Sequence, residues 1–352
     1  MPVKAQRPIL PASKNPKDFV IATIGSHSAL QILKGARDEG MKNLVICKKG
    51  AERPYKSYSV ADEIILIDDF SEWNPALEED LIKRNAIVIP HGSFIAYMGH
   101  ERVKAMQAMY YGTKEILEWE SNRTLERNWL EKADILLPRV FEKPEDIDKP
   151  VIVKFHGAGG GFGYFVAKSP EQFYEVKNRK YPDDQDFVLQ EYIVGVPVYI
   201  HYFYSPITKE LEIMSMDKRY ESNADSIGRI KAEDQLAANI HTSYTIVGNI
   251  PLVVRESLLP ELFEMGDRVV NVSRDLCGKG LFGPFCLETI ITRKLQIFVF
   301  EISARIVAGT NPFVDGSPYT ALKYDVPMST GRRIARDIKQ AIELGRLEEV
   351  LG

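Results

Sequence analysis

The chain reads as an α/β protein with α+β elements: an N-terminal doubly wound parallel sheet, then units built on β-hairpins. Three observations predict this. Apolar strand-like runs alternate with helical patterns over residues 19–89, the β-α-β order of a parallel sheet. Residues 151–167 read as strand, glycine-rich loop, strand. Two β-branched and aromatic runs flank the polar Thr292-Arg293-Lys294, the pattern of a hairpin inside a sheet.

The first strand covers residues 19–24. Gly25-Ser26-His27-Ser28 follows, then a helix over 29–39 with Leu30, Leu33 and Ala36 on one face and Gly40 at its end. Strands 43–47, 63–67 and 86–89 and a helix over 76–84 complete the alternation. Residues 99–119 read as mostly helical, with Met106 and Met109 as core packing, and 122–132 continue helical. Strands 151–155 and 164–167 bracket the glycine loop. Ser169-Pro170-Glu171-Gln172 opens a helix with a capping-box pattern and proline at the first turn. Residues 186–193 form a strand with a polar break, and Gly195-Val196-Pro197 bends the chain into strand 198–204. Residues 211–217 are a strand, 218–229 a polar loop, and Asn249 sits in a turn context between Gly248 and Pro251. Helices are expected over 258–276 and 330–351. The expected domains are residues 1–123, 124–196 and 197–352.

Composition narrows the function classes. Of 352 residues, 27% are charged and 45% hydrophobic, with a formal net charge of −4. That argues against coating nucleic acid, though a local basic pocket stays open. Three cysteines, Cys47, Cys277 and Cys286, with no metal-ligand spacing, suit a reducing compartment. No apolar run approaches the ~20 residues of a membrane span, and residues 1–16 lack an apolar signal core. A cytoplasmic protein is expected.

Three clusters carry chemistry. Glu288 and Glu301 each lie in one run of the hairpin, among residues that favour burial, and a buried carboxylate is costly unless paired. With Arg305 they fit either a structural Glu–Arg pair or a site for Mg²⁺, which takes one or two carboxylates plus phosphate oxygens. An even-numbered hairpin loop would put both acids on one face. The second cluster is the loop 156–163, with Gly157, Gly159, Gly160, Gly161 and Gly163 following Lys154. It is not a P-loop, which would run into a helix. Such a loop suits a mobile lid whose N–H groups cover phosphates, with Lys154 offsetting their charge. The residues Gln190, Glu191, Tyr192 and Ile193 fit either an adenine-binding hinge or an ordinary bulge. The third cluster is the pair of loops Gly25-Ser26-His27-Ser28 and Pro90-His91-Gly92-Ser93 at carboxyl ends of predicted strands, where open α/β sheets bind ligands. Helix capping by the serines is the alternative.

Lys154 with its glycine hairpin, the Gln190–Ile193 hinge, and Glu288 and Glu301 on paired strands together resemble the ATP-grasp superfamily. The second acid departs from the superfamily's Glu-x-Asn-x-Arg, reading Glu301-Ile302-Ser303-Ala304-Arg305, so Ser303 or Asn311 would replace the asparagine. Ile24-Gly25-Ser26-His27-Ser28-Ala29, Pro90-His91-Gly92-Ser93, residues 151–155 and 217–222, and Phe300-Glu-Ile-Ser-Ala-Arg-Ile-Val-Ala-Gly-Thr-Asn311 narrow the match. They resemble the archaeal formate-dependent formaminoimidazole-carboxamide ribotide synthetases over nearly the whole chain.

The resemblance implies an ATP-grasp fold behind a pre-ATP-grasp sheet. It implies a ligase of IMP biosynthesis that formylates 5-aminoimidazole-4-carboxamide ribotide (AICAR) to its formamido product (FAICAR) with ATP and formate, through formyl phosphate. Glu288 and Glu301 would hold Mg²⁺ or Mn²⁺, while Lys154 and Arg305 would act in catalysis. Glycines 157, 159, 160, 161 and 163, residues 190–193 and Glu221 would meet ATP; His27, Ser93 and Asn249 would meet AICAR. A homo-oligomer is compatible with this reading. Two other classes stay open: an ATP-dependent ligase for another acid or amine, and a non-catalytic nucleotide-binding regulator.

Overall fold

Strands β1 (Val20–Ile24), β2 (Lys42–Lys48), β3 (Glu63–Ile67), β4 (Ala86–Val88) and β5 (Met109–Tyr110) form a sheet in the order β3-β2-β1-β4-β5. Every pairing in it is parallel. The computed structural model describes residues 10–352 except 71–72, 156–163, 181–185, 223, 228, 239, 241–242 and 244. Leu44 to Cys47 of β2 form a continuous buried apolar run, as expected where helices cover both faces. The chain moves outward through β2 and β3, then recrosses β1 to reach β4. Strand order therefore reverses between β1 and β4, which makes the loops after these two strands the natural ligand site.

The expected helix over residues 99–119 is broken. Helix His100–Ala105 gives way to the edge strand β5, and a second helix runs Ile116–Ser121. Met109 lies in the strand, although it and Met106 are buried as expected. Pairing with β4 overrides local propensity here, and Gly112 at φ 100° breaks the chain direction.

The second sheet holds β6 (Val140–Phe141), β7 (Val151–Phe155), β8 (Tyr164–Ala167) and β9 (Phe187–Glu191) in the antiparallel order β6-β9-β7-β8. Its buried face (Val151, Val153, Phe155, Leu189) packs on Phe173 of helix Pro170–Lys180. The glycine loop between β7 and β8, with Gly157, Gly159, Gly160, Gly161 and Gly163, lies outside the described residues.

The third sheet holds β10 (Val196–Ser205), β11 (Glu210–Glu221), β12 (Ile246–Pro251), β13 (Gly283–Ile291) and β14 (Ile297–Ser303), antiparallel in the order β12-β11-β10-β13-β14. Two expectations change here. Strand β11 continues through Lys218–Glu221 rather than opening into a loop at 218, and Asn249 sits in β12, paired with Arg219. Gly248 and Pro251 mimic a turn, yet proline is tolerated on an edge strand. Ile200, Tyr202, Met216, Leu287 and Ile302 pack with Leu262, Met265 and Val269 of helix Leu259–Leu276. Because side chains alternate, the registers place Tyr199, His201, Asp217, Arg219, Asn249, Cys286, Glu288, Glu301 and Ser303 on the opposite face. One sheet thus has an apolar back and a polar front.

The C-terminal helix Thr330–Glu343 returns to the parallel sheet and packs on helix Ala29–Asp38, Ile334, Ile338 and Ile342 sharing a core with Phe19, Ile21 and Ile32. The contact is close at two glycines. A Cβ on Gly35 would strike the Arg332 backbone, and one on Gly331 the Gln31 backbone. Gly35→Ala should therefore lower stability by about 1–3 kcal/mol despite alanine's higher helix propensity. Urea unfolding measures it; an unchanged or raised midpoint would reject the close approach.

Candidate active site

Glu288 and Glu301 are direct cross-strand partners. The route to this pairing differs from the expected even-numbered loop. Ile291 stands opposite Ile297, leaving an odd loop over 292–296, but the register then shifts so that Thr289 pairs with Val299 and Glu288 with Glu301. Phe300 is the extra residue of a β-bulge. Without it Phe300 would oppose Glu288 and Glu301 would turn to the other face. Glu288 is 7% exposed. Glu301, against expectation, is exposed, because β14 is an edge strand beside an open cleft.

Buried charges brace the pair. Burial, then the Glu301 charge, pushes the Glu288 carboxyl well above the usual range, while Arg219 and Arg305 pull it back. An Arg219 terminal nitrogen donates to Glu288 Oε1 at 3.1 Å, and its guanidinium lies 4.0 Å from the centre of the Tyr199 ring. Arg305 is held at 2.8 Å by Glu120 Oε1, and Glu120 Oε2 accepts from the Ala304 N–H at 2.9 Å. Glu126 Oε1 accepts from the Ile302 N–H at 2.6 Å. Burial first and the Glu301 charge next raise Glu126 to about 9.

Between the second and third sheets lies a cavity of about 260 Å³ lined by Lys154, Gln190, Glu126, Phe300 and Glu301 with apolar Leu130, Val188 and Val299. Arg123, Thr124 and Arg127 also line it, so apolar side chains share the wall with both signs of charge, a lining that suits a ligand with an apolar ring and anionic groups. Desolvation, then the Arg123 charge, lowers the Lys154 pKa, while Glu301, Glu126 and Glu288 oppose that. Of the expected hinge, Gln190 lines the cavity; Glu191, Tyr192 and Ile193 do not. Glu191 is instead paired with Lys149 at 3.0 Å, and Tyr192 is 42% exposed. Glu221 ends β11, where burial and then Asp225 raise its pKa.

The two switch-point loops meet as expected. His91 is fully buried; its Nε2 donates to Ile24 O at 2.9 Å and its Nδ1 accepts from the Ser93 N–H at 3.2 Å. Burial lowers its pKa to about 4, so it is a neutral clamp between the loops. His27, with a left-handed φ of 40°, stacks on His91 with ring centres 6.0 Å apart. Desolvation, then the Arg305 and Arg219 charges, lowers the His27 pKa. Ser93 Oγ lies 3.3 Å from Ser26 Oγ, which lies 3.3 Å from the Tyr97 hydroxyl. Ser28 and Ser93 stand at helix N-caps but make no side-chain cap bond, so capping does not account for these loops.

The third sheet reaches the same place. Asn311 donates to His27 O at 3.1 Å and accepts from Gln31 Nε2 at 2.7 Å, which commits its amide to the N-terminal loop. Ser303 stays on the polar front, two residues beyond Glu301. Asn249 donates to Asp217 Oδ2 at 2.7 Å. Sequence reading gave Asp217 and Arg219 no role of their own, although both lie in the matching stretch 217–222, and missed His201, Glu120 and Glu126. The first two alternate on β11 and were hidden by ending that strand at residue 217. The helical acids gave no local signal.

Two family models match the chain: a domain of unknown function (DUF1297) over residues 170–352 and a protein of unknown function (DUF1246) over residues 21–141. A 5-formaminoimidazole-4-carboxamide-1-(beta)-D-ribofuranosyl 5'-monophosphate synthetase of Pyrococcus horikoshii is 56% identical over 336 residues, covering 94% of this chain and 99% of the relative. The chain belongs to this synthetase family. A crystal structure of an IMP biosynthesis protein PurP from Thermococcus kodakaraensis matches with a TM-score of 0.75 and 31% identity, covering 94% of this chain and all of the other. N5-carboxyaminoimidazole synthetase from Staphylococcus aureus, complexed with ADP, matches with a TM-score of 0.63 at 15% identity over 93% of this chain and 79% of the other, a likeness of fold alone. The protein is thus a ligase with the ATP-grasp fold. Among its described residues no helix is long and apolar enough to cross a membrane.

Glu126 should make the stability of this enzyme pH-dependent. Its folded-state pKa, raised from 4.5 to about 9, means its contribution is fullest below pH 4.5 and is lost as pH climbs toward 9. Glu126→Gln keeps an acceptor for the Ile302 N–H and removes the charge. The variant should exceed the wild type at pH 8 by at least about 1 kcal/mol, with a smaller gap at pH 5.5. Urea titrations at both pH values decide it; equal gaps would mean Glu126 does not titrate on folding.

Proposed function

We propose that this chain is an ADP-forming ligase that joins formate to the 5-amino group of AICAR at the expense of ATP, giving FAICAR in IMP biosynthesis without folate. One observation carries the reading: paired acids and arginines span the way from the cavity to the switch-point loops, and the loop 304–311 ties the two ends through the His91–Ile306 bridge and the Asn311–His27 hydrogen bond. Glu301 lines the cavity and faces Glu288, Arg219 binds Glu288, and the charges of Arg305 and Arg219 reach His27, where they add to desolvation in lowering its pKa. A nucleotide at one end and a ribotide at the other would meet at the acids.

The acids fit a divalent metal. Glu288 and Glu301 face each other across two strands, and Glu288 is held high by burial and its neighbour's charge. Hard carboxylate oxygens suit Mg²⁺ or Mn²⁺. When bound, such an ion neutralises charge on the transferring phosphoryl oxygens. Lys154 would offset phosphate charge from the cavity wall. Formate oxygen attacks the γ-phosphorus and the bond to ADP breaks. The AICAR amine then attacks the formyl carbon, phosphate leaves, and the nitrogen loses a proton. Arg219 and Arg305, braced by Glu288 and Glu120, would hold the anionic formyl phosphate. Positioning and charge neutralisation supply most of the catalysis in such transfers. His27, Ser93 and Asn249 would bind AICAR, and Gln190 and Glu221 would contact ATP.

Phosphate release should require ATP, formate and AICAR together. Release with a different acid or amine would move the assignment to a sister ligase, and binding of nucleotide without turnover would mark a regulator. Glu301→Gln should keep the fold yet lose nearly all turnover; near wild-type turnover at saturating Mg²⁺ would reject the metal assignment. His27→Ala should weaken AICAR binding by about 1–3 kcal/mol with ATP-analogue affinity unchanged, read by calorimetric titration. Equal losses for both ligands would mark a structural histidine.

A further inference from the structure

Asp217 is fully buried on the polar front of the third sheet. Burying a carboxylate carries a large desolvation penalty unless its oxygens are satisfied. Both are: Oδ1 accepts from His201 Nε2 at 2.7 Å and Oδ2 from Asn249 Nδ2 at 2.7 Å. Among the described residues no lysine or arginine forms an ion pair with it. The His201 ring, itself buried, has its other nitrogen Nδ1 without a hydrogen-bond partner among the described residues, so its one hydrogen bond serves Asp217. The chain also clears space for this pair. Gly309, in the 3-10 segment Ala308–Phe313, lies so close that a Cβ there would collide with Asp217 Oδ1 and the His201 ring. That segment carries Asn311, which bonds the His27 backbone.

Strand cohesion does not account for this arrangement. Asp217 is already paired through the backbone ladder with Tyr199 on one side and Pro251 on the other. What the carboxylate adds is an orientation. Both Asp217 oxygens act as acceptors here, so the Asn249 amide turns its NH₂ inward and its Oδ1 away. Asn249 Oδ1 accepts from no described residue, and Asn249 sits half-buried on the edge strand beside Arg219.

We infer that Asp217 is a positioning residue that locks Asn249 as a fixed hydrogen-bond acceptor for the carboxamide N–H of the amine substrate, so that the pair selects ribotides carrying that carboxamide. This rests on the reading of Asn249 as an AICAR contact. A site built around a fixed polar partner rejects an analogue that lacks the matching group far more strongly than an apolar pocket does.

The test is a double-mutant cycle read by calorimetric titration and steady-state kinetics, using AICAR and the same ribotide without its 4-carboxamide. Asp217→Leu, which offers Asn249 no acceptor, should weaken AICAR roughly tenfold or more, leave the KM for ATP within about twofold, and leave the affinity of the decarboxamide analogue unchanged. In an Asn249→Ala background the further loss from Asp217→Leu should vanish, because interacting residues are non-additive. Additive losses, or equal losses for ATP and both ribotides, would overturn the inference. Should Asp217→Leu fail to fold, Asn249→Asp serves: it keeps an oxygen for the substrate but removes the NH₂ that Asp217 holds. It should lose AICAR as fully as Asn249→Ala, and AICAR affinity retained within about threefold would overturn the inference. If Asn249→Ala leaves AICAR binding intact, the contact itself is wrong, and the inference falls with it.

Discussion

An antiparallel sheet that buries one face on a helix leaves the other free for polar groups, and the third sheet uses that freedom throughout. Its back is sealed by helix Leu259–Leu276 through Tyr202, Leu287 and Ile302. Its front gathers Glu288, Glu301, Arg219, Asp217 and Asn249 from strands far apart in the chain. Strand parity is unforgiving, since one residue of slip sends a whole set to the wrong side. The Phe300 bulge makes that correction for Glu301 alone, and it brings Phe300 to the cavity wall beside it.

Charges on this front are arranged in braced pairs. Glu288 is answered by Arg219, Arg305 by Glu120, and Asp217 by His201 and Asn249. Low-dielectric surroundings make each pairing strong and each vacancy costly. Glu126, and Glu288 despite its arginine, are pushed upward first by burial and next by the Glu301 charge, which is the electrostatic condition a divalent cation and a lysine would relieve.

The parallel sheet meets this front at its strand-order reversal. His91 ties the loop after β1 to the loop after β4 and also forms a bridge with Ile306, next to Arg305. Helix Thr330–Glu343 packs against helix Ala29–Asp38 behind that junction, through the Gly35 and Gly331 contact. The geometry between the His27 loop and the acid pair is therefore set by packing from both sides.

Much of this was written locally in the sequence. Short apolar runs, set between helical patterns and turn residues, located β1 to β4, β7 to β9 and the acid hairpin, because such patterns are properties of short windows. Residue type marked Lys154, Glu288, Glu301, His27 and Ser93, since a carboxylate in a β-branched run or a histidine at a strand end is conspicuous wherever the chain goes. Tertiary structure decided what depends on neighbours distant in sequence. It turned residues 109–110 into an edge strand, extended β11 past residue 217, and placed Asn249 in β12. It restored the Glu288–Glu301 pairing by a bulge rather than by loop length. It supplied Glu120, Glu126, His201 and Asp217, whose roles exist only through partners on other elements. A period can be read from one segment, but register and hydrogen-bond partnership are relations between segments, and only the folded chain fixes those.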